Sequence, residues 1–483
     1  MKSTEQKNDM RTKHHSSQRG QVLILVALLL VVLIGFVGLA IDSGRTYGVK
    51  AKLNSAVDAA AIAGARALAQ GASDPLREAA AIQAAKDYYV ANFPTNFQGA
   101  TLVALTNADV SATHDLASGY WTINVKGSAV MPVTLMGLLG FSDVAVSAEG
   151  GAIRRDLDII LVLDSSGSIG TALPGLKAAA INFVNKFNAG SNGDRVGLVT
   201  FASGGVLDVP INKTGARGFN KATVTNAINA LTSTGSTAAA EGMRKALNDI
   251  NGVPVAARSS LRMIVFFSDG APNDVPAKFC NGAVTGGVCT ASAANQPTGD
   301  LYSETAGPGT SRATSLYDYQ RRDSSLGTYA NIATLPIRGL PLTDAMGVAI
   351  PGSEVPLASF NNIRALTPVS PANGVLFPYT NTRCNVNKAA RNMVENVADT
   401  TRSQKIKLYS IALGAAVTTA EITFCSYGAS EWGANILKRL ANTSDSDTHS
   451  TTQPTGLYVW AANASELDAA FSTIASEILR LSK

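Results

Sequence analysis

The earliest strong pattern in the chain is "VLILVALLLVVLIGFVGLAI", Val22 to Ile41, twenty residues without a charge. At about 1.5 Å per residue, a helix of that length spans about 30 Å, the thickness of a bilayer's hydrocarbon core. Alanine-rich residues continue with few breaks to Gln70, so the helix is expected to run on as a stalk. A second helical pattern covers about Pro75 to Ala91. "TLVALTNADVSATHD", "GYWTINVKGSAVM" and "DVAVSAEGGAI" then alternate apolar and polar positions, the period of half-buried strands. A long helix followed by a small antiparallel sheet predicts an α+β module. "EGGAIRR", Glu149 to Arg155, reads as a short linker.

From Asp156 strand and helix patterns alternate. "LDIILVL", "DRVGLVTFAS", "RMIVFF" and "IKLYSIALG" read as strands. "LPGLKAAAINFVNKF", "FNKATVTNAINAL", "AAAEGMRKALNDI" and "NKAARNMVENVADTTR" read as helices, and "GLYVWAANASELDAAFSTIASEI" as the terminal helix. That order predicts an α/β domain with a doubly wound sheet. Between Pro272 and about Cys384 the pattern gives way to Gly, Pro, Ser, Thr and Asn. So long a structureless loop is uncommon inside a compact domain, which makes this stretch an insertion. The predicted organisation is a basic tail (1–21), a transmembrane helix (22–41), the α+β module (42–150) and the α/β domain (156–483), interrupted at about 272–385.

The chemistry concentrates where these strands end. "DIILVLDSSGSIG" closes an apolar run with Asp164, Ser166 and Ser168, whose oxygens alternate along a turn that Gly167 permits. A hard divalent cation such as Mg²⁺ takes oxygen donors and keeps several waters, so a few protein oxygens with an open position suit it. "STGSTAAAEGMRKAL" places Thr237 at the mouth of a helix, and "RMIVFFSDGAPND" places Asp269 at the end of another strand. Ligands of open α/β sheets collect at the carboxyl ends of the strands. The alternative for these residues is a hydrogen-bonded turn without metal.

"DSSGS", "GST" and "SDG", in that order, resemble the metal-ion-dependent adhesion site of von Willebrand factor A domains. The resemblance implies a doubly wound, Rossmann-like domain in which Ser166, Ser168 and Thr237 contact Mg²⁺ or Mn²⁺ directly. It also implies that Asp164 and Asp269 act largely through water, and that a partner's acidic side chain takes the open coordination position.

Charge changes the picture at one point. The net charge is +5, of which residues 1–20 carry +3, leaving only +2 for everything after. A basic excess placed before an apolar span orients a membrane helix rather than binding nucleic acid, with the amino terminus cytoplasmic and the rest outside. A cleaved signal peptide is the rival reading, since Gly38 and Ala40 are small. The run is, however, longer than the usual apolar core of about 7–15 residues. Cys280, Cys289, Cys384 and Cys425 all follow the span and lack C-x-x-C spacing. Outside the cytoplasm they are expected to be disulfides, preferentially Cys280 with Cys289 and Cys384 with Cys425.

An enzyme is not expected. The histidines are His14, His15, His114 and His449; the first two fall in the cytoplasmic tail and His449 lies in a polar loop, so the serines lack an evident base. No phosphate-binding G-x-x-x-x-G-K-[ST] occurs. Tyr302, Tyr317, Tyr319 and Tyr329 of the insertion offer either a contact surface or burial against the domain.

The segment from "RGQVLILVALLL" to "SAVDAAAIAGA", with the later "VSAEGGA", resembles the amino-terminal part of TadE/TadG proteins of tight-adherence (Flp) pilus assembly, whose larger TadG-like members carry an A domain after this module. The resemblance implies a bacterial inner-membrane, periplasm-facing assembly component that binds a pilus or envelope protein offering an acidic residue. Ala59, Ala60, Ala61, Ala63 and Gly64 would allow close packing against other pseudopilin-like subunits. Prepilin-type cleavage needs Glu five residues after Gly; Gly20 is followed there by Leu25, so the span is expected to stay uncut. The alternatives are a surface-exposed metal-dependent adhesin and a metal-independent anchor of the pilus machinery.

Overall fold

In the computed structural model the uncharged run belongs to one continuous helix, α1 (Arg19–Ala67), as its unbroken apolar and alanine-rich sequence predicts. The structure describes residues 19–68, 74–115, 120–190, 193–214, 216–278, 284–285, 288–289, 298–302, 316–317, 340, 343–350, 364, 366, 382–419, 425 and 431–482. The chain divides into two units. One comprises Met1–Ala63, Ile82–Ser111 and Ile123–Gly151; the other comprises Gly64–Ala81, Ala112–Thr122 and Ala152–Lys483.

In the first unit α1 changes character along its length. Its apolar residues from Val22 to Ile41 point outward, and the most apolar stretch, of mean hydropathy 3.4, is only 6% buried. Further on, Val49, Leu53, Ala56, Val57, Ala60 and Ala61 recur at helical spacing and are fully buried. Ala60, Ala61, Ala63 and Gly64 are therefore covered by the chain itself, which removes them as a free face for a second subunit. The helix α2 (Asp74–Asn92) contributes Tyr89, whose hydroxyl donates to the Ser128 carbonyl at 3.0 Å.

An antiparallel sheet follows, of β1 (Thr101–Leu102), β2 (Val110–Asp115), β3 (Tyr120–Pro132) and β4 (Asp143–Arg155), with β3 pairing to the other three. The expected linker Glu149–Arg155 is the end of β4. Its glycines misled the reading: a Cβ on Gly150 would lie 2.9 Å from the Val57 carbonyl oxygen, so glycine there admits close helix–strand approach rather than flexibility.

The second unit holds the α/β domain. In chain order it runs β5 (Leu157–Asp164), α3 (Leu173–Asn185), β6 (Arg195–Phe201), β7 (Gly205–Val209), α4 (Lys221–Asn229), α5 (Ala239–Asn251) and β8 (Leu261–Ser268). The insertion, read from sequence as irregular, contains β9 (Asp274–Lys278), β10 (Val284–Thr285), β11 (Val288–Cys289), β12 (Thr298–Tyr302) and β13 (Leu316–Tyr317). Val275, Ala277 and Leu301 of these strands are fully buried in the core, which explains why they are ordered as strands. The domain closes with α6 (Arg383–Ser403), β14 (Lys407–Leu413), α7 (Gly433–Ala441), β15 (Tyr458–Ala461) and α8 (Leu467–Leu481).

The main sheet has the order β15-β14-β8-β5-β6-β7, parallel except for β7 at one edge. β5 is buried at every position because both faces are covered. Its Ile160 and Val162 face a core built with α5, α6 and α7, while Ile159, Leu161 and Leu163 face one built with α3, α4 and α8. Cys384 and Cys425 form the expected disulfide. Cys280 lies outside the described residues, and the proposed Cys280 to Cys289 bridge with it.

Candidate cation site at the carboxyl edge of the sheet

Five residues singled out in the sequence lie at the ends of the neighbouring strands β5 and β8 and on the loop between α4 and α5. Asp164 ends β5, the central strand, and is fully buried. The chain then turns: the Ser165 amide donates to the Phe201 carbonyl at 2.8 Å, and the Gly167 amide to the Gly235 carbonyl at 2.8 Å. A Cβ on Gly167 would sit 3.3 Å from that same Gly235 oxygen, so this is the position where the turn favours glycine. From the opposite side the Thr234 amide donates to the Ser165 carbonyl at 3.0 Å, and the Ser233 hydroxyl to the Ser166 carbonyl at 2.6 Å. The loop that carries Thr237 is thereby fastened to the loop that carries the two serines.

The side-chain oxygens of Asp164, Ser166, Ser168 and Asp269 lie together. The Ser166 and Ser168 hydroxyls are 3.0 Å apart, and the Ser168 hydroxyl donates to Asp269 Oδ1 at 2.9 Å. Asp164 accepts from the Ser166 amide at 2.8 Å and from the Ser268 hydroxyl at 2.6 Å. Thr237 is buried just before α5, where its amide donates to Asn273 Oδ1 at 2.9 Å. Ser168 and Gly167 are exposed, so the cluster opens to solvent on that side.

Ser268, Ser233 and Asn273 were not singled out from sequence. Ser268 had a signal, being the residue beside Asp269 at the end of a buried strand. Ser233 and Asn273 act through loop packing that spacing does not reveal. A second buried network lies alongside, in which the Ser236 hydroxyl bonds Asp274 and Ser203 and so holds the chain entering α5.

Among the described residues no cationic side chain pairs with the site's carboxylates. Burial raises the Asp164 carboxyl well above the ordinary carboxylate range, and the charge of Asp269 raises it further, while hydrogen bonds from Ser166 and Ser268 oppose both. Burial likewise raises Asp269 against the Ser168 hydrogen bond. Among the described residues neither carboxylate forms an ion pair. Nor does any group of three or more His, Cys, Asp or Glu side chains there meet the geometry of a metal centre. The five residues offer two carboxylates and three hydroxyls, an all-oxygen set of the kind a hard divalent cation takes while keeping water. Such an ion would relieve the repulsion and the desolvation cost of two adjacent buried charges, so the residues fit it.

The two described histidines lie elsewhere. His114 Nδ1 is 2.9 Å from Asp74, and His449 Nε2 is 3.3 Å from the Thr455 hydroxyl.

Residues 158–292, which span all five positions, match the family "von Willebrand factor type A domain". The chain carries a von Willebrand factor A domain. Residues 20–67 match the family "Putative Flp pilus-assembly TadE/G-like", so a TadE/G-like segment precedes the A domain. No curated protein matches the chain. Among solved structures it is similar to the vWF domain of the type V pili tip protein Mfa5 from Porphyromonas gingivalis, at 19% identity and a TM-score of 0.37, covering 69% of this chain and 98% of that one. The pilus adhesin SpaC from Lactobacillus rhamnosus GG matches at 13% identity and a TM-score of 0.37, over 77% of this chain; the chain spans 33% of SpaC. A variant of the PilB minor pilin from Streptococcus sanguinis matches at 15% identity and a TM-score of 0.34, covering 77% and 78%.

Proposed function

We propose that this chain is a membrane-anchored component of tight-adherence (Flp) pilus assembly whose A domain docks a pilus or envelope protein through a divalent cation. The TadE/G-like match at residues 20–67 and the exposed apolar helix support the anchor, and the basic residues before Val22 support a cytoplasmic amino terminus with the bulk of the chain in the periplasm. The single observation that carries the docking reading is Ser168. Ser168 is exposed, and its hydroxyl touches both Ser166 Oγ and Asp269 beside the buried Asp164, which has no ion pair among the described residues.

In this reading Ser166, Ser168 and Thr237 hold Mg²⁺ or Mn²⁺, and Asp164 and Asp269 orient it and balance its charge. The bound ion supplies a focus of positive charge for a partner's Asp or Glu. The protein's own contribution is positional. Ser268 fixes one oxygen of Asp164, and Ser233 and Gly235 lock the two ligand-bearing loops together before any partner arrives. The function is binding rather than catalysis.

Cross-linking in the native envelope tests it. A partner should be captured in Mg²⁺, lost in EDTA and lost in an Asp269→Ala strain. Capture that survives both changes overturns the cation bridge. Protease digestion of the A domain on intact cells would instead reveal a surface adhesin.

A further inference from the structure

Beside the apolar helix sits a second apolar element. The turn that joins β3 to β4, Val133 to Phe141, reads "VTLMGLLGF" and contains no charged residue. Leu135 and Met136 are half-buried and Phe141 is 55% exposed. This turn is fastened to α1 at the end of the apolar run. Asp42, the first charged residue after Ile41, accepts from the amides of Thr134 at 3.1 Å, Leu135 at 3.1 Å and Met136 at 2.9 Å, and from the Thr134 hydroxyl at 2.6 Å. Arg45 lies 3.6 Å from the same carboxylate.

The contact reaches back into the apolar run. A Cβ on Gly38 would fall 2.7 Å from Leu135 Cβ, so glycine at this position is what admits the turn. Gly38 lies three residues before Ile41, about 4.5 Å along the helix axis. Around it, Val37, Leu39 and Ile41 remain 46–48% exposed, so the turn covers one narrow side of the helix and shares its surroundings at that level.

Six of the nine backbone amides of the turn are satisfied internally, which lowers the cost of placing it in lipid. Besides the three amides held by Asp42, the Val133 amide donates to Ser142, Gly140 to Gly137 and Phe141 to Met136. Gly140 takes the left-handed conformation, with φ of 92°, that closes the turn.

Resting on the reading of Val22 to Ile41 as a membrane span, we infer that Val133–Phe141 dips into the outer face of the same bilayer as a second membrane contact. Phe141, Leu135 and Met136 enter the acyl boundary while Asp42 and Arg45 mark the headgroup level. Continuity with the apolar helix selects lipid as the occupant: whatever solvates Leu39 and Ile41 also solvates this turn. The arrangement limits tilting of the helix relative to the membrane, because two points of the unit are held in the bilayer rather than one.

The test uses the full chain in phospholipid vesicles, with an environment-sensitive fluorophore on a single introduced cysteine and the unsubstituted chain as background. Gly137→Cys is suited to the turn, because nothing lies within 4 Å of a Cβ there. Phe141→Cys is the second variant, Leu30→Cys reports the span, and Ala108→Cys, exposed in the same unit, is the aqueous reference. Lipids carrying a shallow nitroxide should quench Gly137→Cys and Phe141→Cys and leave Ala108→Cys bright, while a deep nitroxide quenches Leu30→Cys. If Leu30→Cys is quenched but both turn variants stay bright, the turn is outside the lipid and the inference fails while the span stands. That result with slow labelling of the turn by a water-soluble maleimide would assign the surface to a protein instead. If Leu30→Cys is itself unquenched, the span and the inference fall together.

Discussion

The Ser168 hydroxyl stands 2.9 Å from Asp269 Oδ1, joining two residues 101 positions apart in sequence. On its other side it stands 3.0 Å from the Ser166 hydroxyl. Two strand ends and a turn thus place their oxygens together, and among the described residues no side chain offsets the charge of the two buried carboxylates.

That electrostatic arrangement predicts a pH dependence that metal removes. Asp164 and Asp269 have native pKa values raised above the unfolded value of about 3.9. Between that value and the raised ones the native state binds more protons than the unfolded chain, so stability falls as pH rises. In EDTA, thermal melting of the A domain should drop as pH rises from about 4 toward neutrality. Saturating Mg²⁺ should abolish the drop, and at a concentration 100 times its dissociation constant should add about 2.7 kcal/mol. Melting curves in the two buffers check this; identical curves contradict it.

His114 makes a separate contribution of the same sign. Burial pulls its pKa down, but the carboxylates of Asp156, 3.6 Å from Nε2, and of Asp74, hydrogen-bonded to Nδ1, outweigh that and leave it raised. Its ring stacks on Trp121 at 4.6 Å, and Arg77 and Arg217 also face the two carboxylates. A base with a raised native pKa contributes stability that is complete below its unfolded value, about 6.5, and is lost as pH climbs through the native value. His114→Gln should flatten the stability profile above about pH 6.5 and leave the Mg²⁺-sensitive part intact. Denaturant midpoints of the two proteins across pH separate the contributions, and a profile unchanged by the substitution would contradict the assignment.

The disulfide predicts a stability loss of calculable size. Cys384 and Cys425 are 41 residues apart in sequence, and closing a loop of that length restricts the unfolded chain by about 4 kcal/mol. Replacing both cysteines by serine should lower denaturant stability by about 3–4 kcal/mol without altering Mg²⁺ binding. Equilibrium unfolding measures the first and a metal titration the second; an undiminished midpoint would show that the bridge adds nothing to the folded domain.

Much of this was legible in the sequence because the signals were local. Asp164, Ser166 and Ser168 lie within five positions, and the apolar run before them demands a strand covered on both faces. Thr237 and Asp269 were found by the order of short motifs, each at the end of an element. Ser268 was missed because its role depends on register: Leu163 pairs with Phe267, which sets Ser268 beside Asp164. No spacing along one strand reveals that. The helix α7 escaped notice because its nine residues bury only a few apolar positions, chiefly Ile436, Leu437 and Leu440. The alanines of α1 were ambiguous between helix propensity alone and a partner's face, and Ala60, Ala61 and Ala63 are instead buried by the chain itself.

The most direct test of the cation site is a calorimetric titration of the detergent-solubilised full chain with Mg²⁺, beside Asp269→Ala. The account predicts one saturable site per chain, released protons at mildly acidic pH as the raised carboxylates ionise, and loss of both signals in Asp269→Ala with its melting in EDTA preserved. Equal Mg²⁺ binding by the two proteins, or none by either, would contradict it.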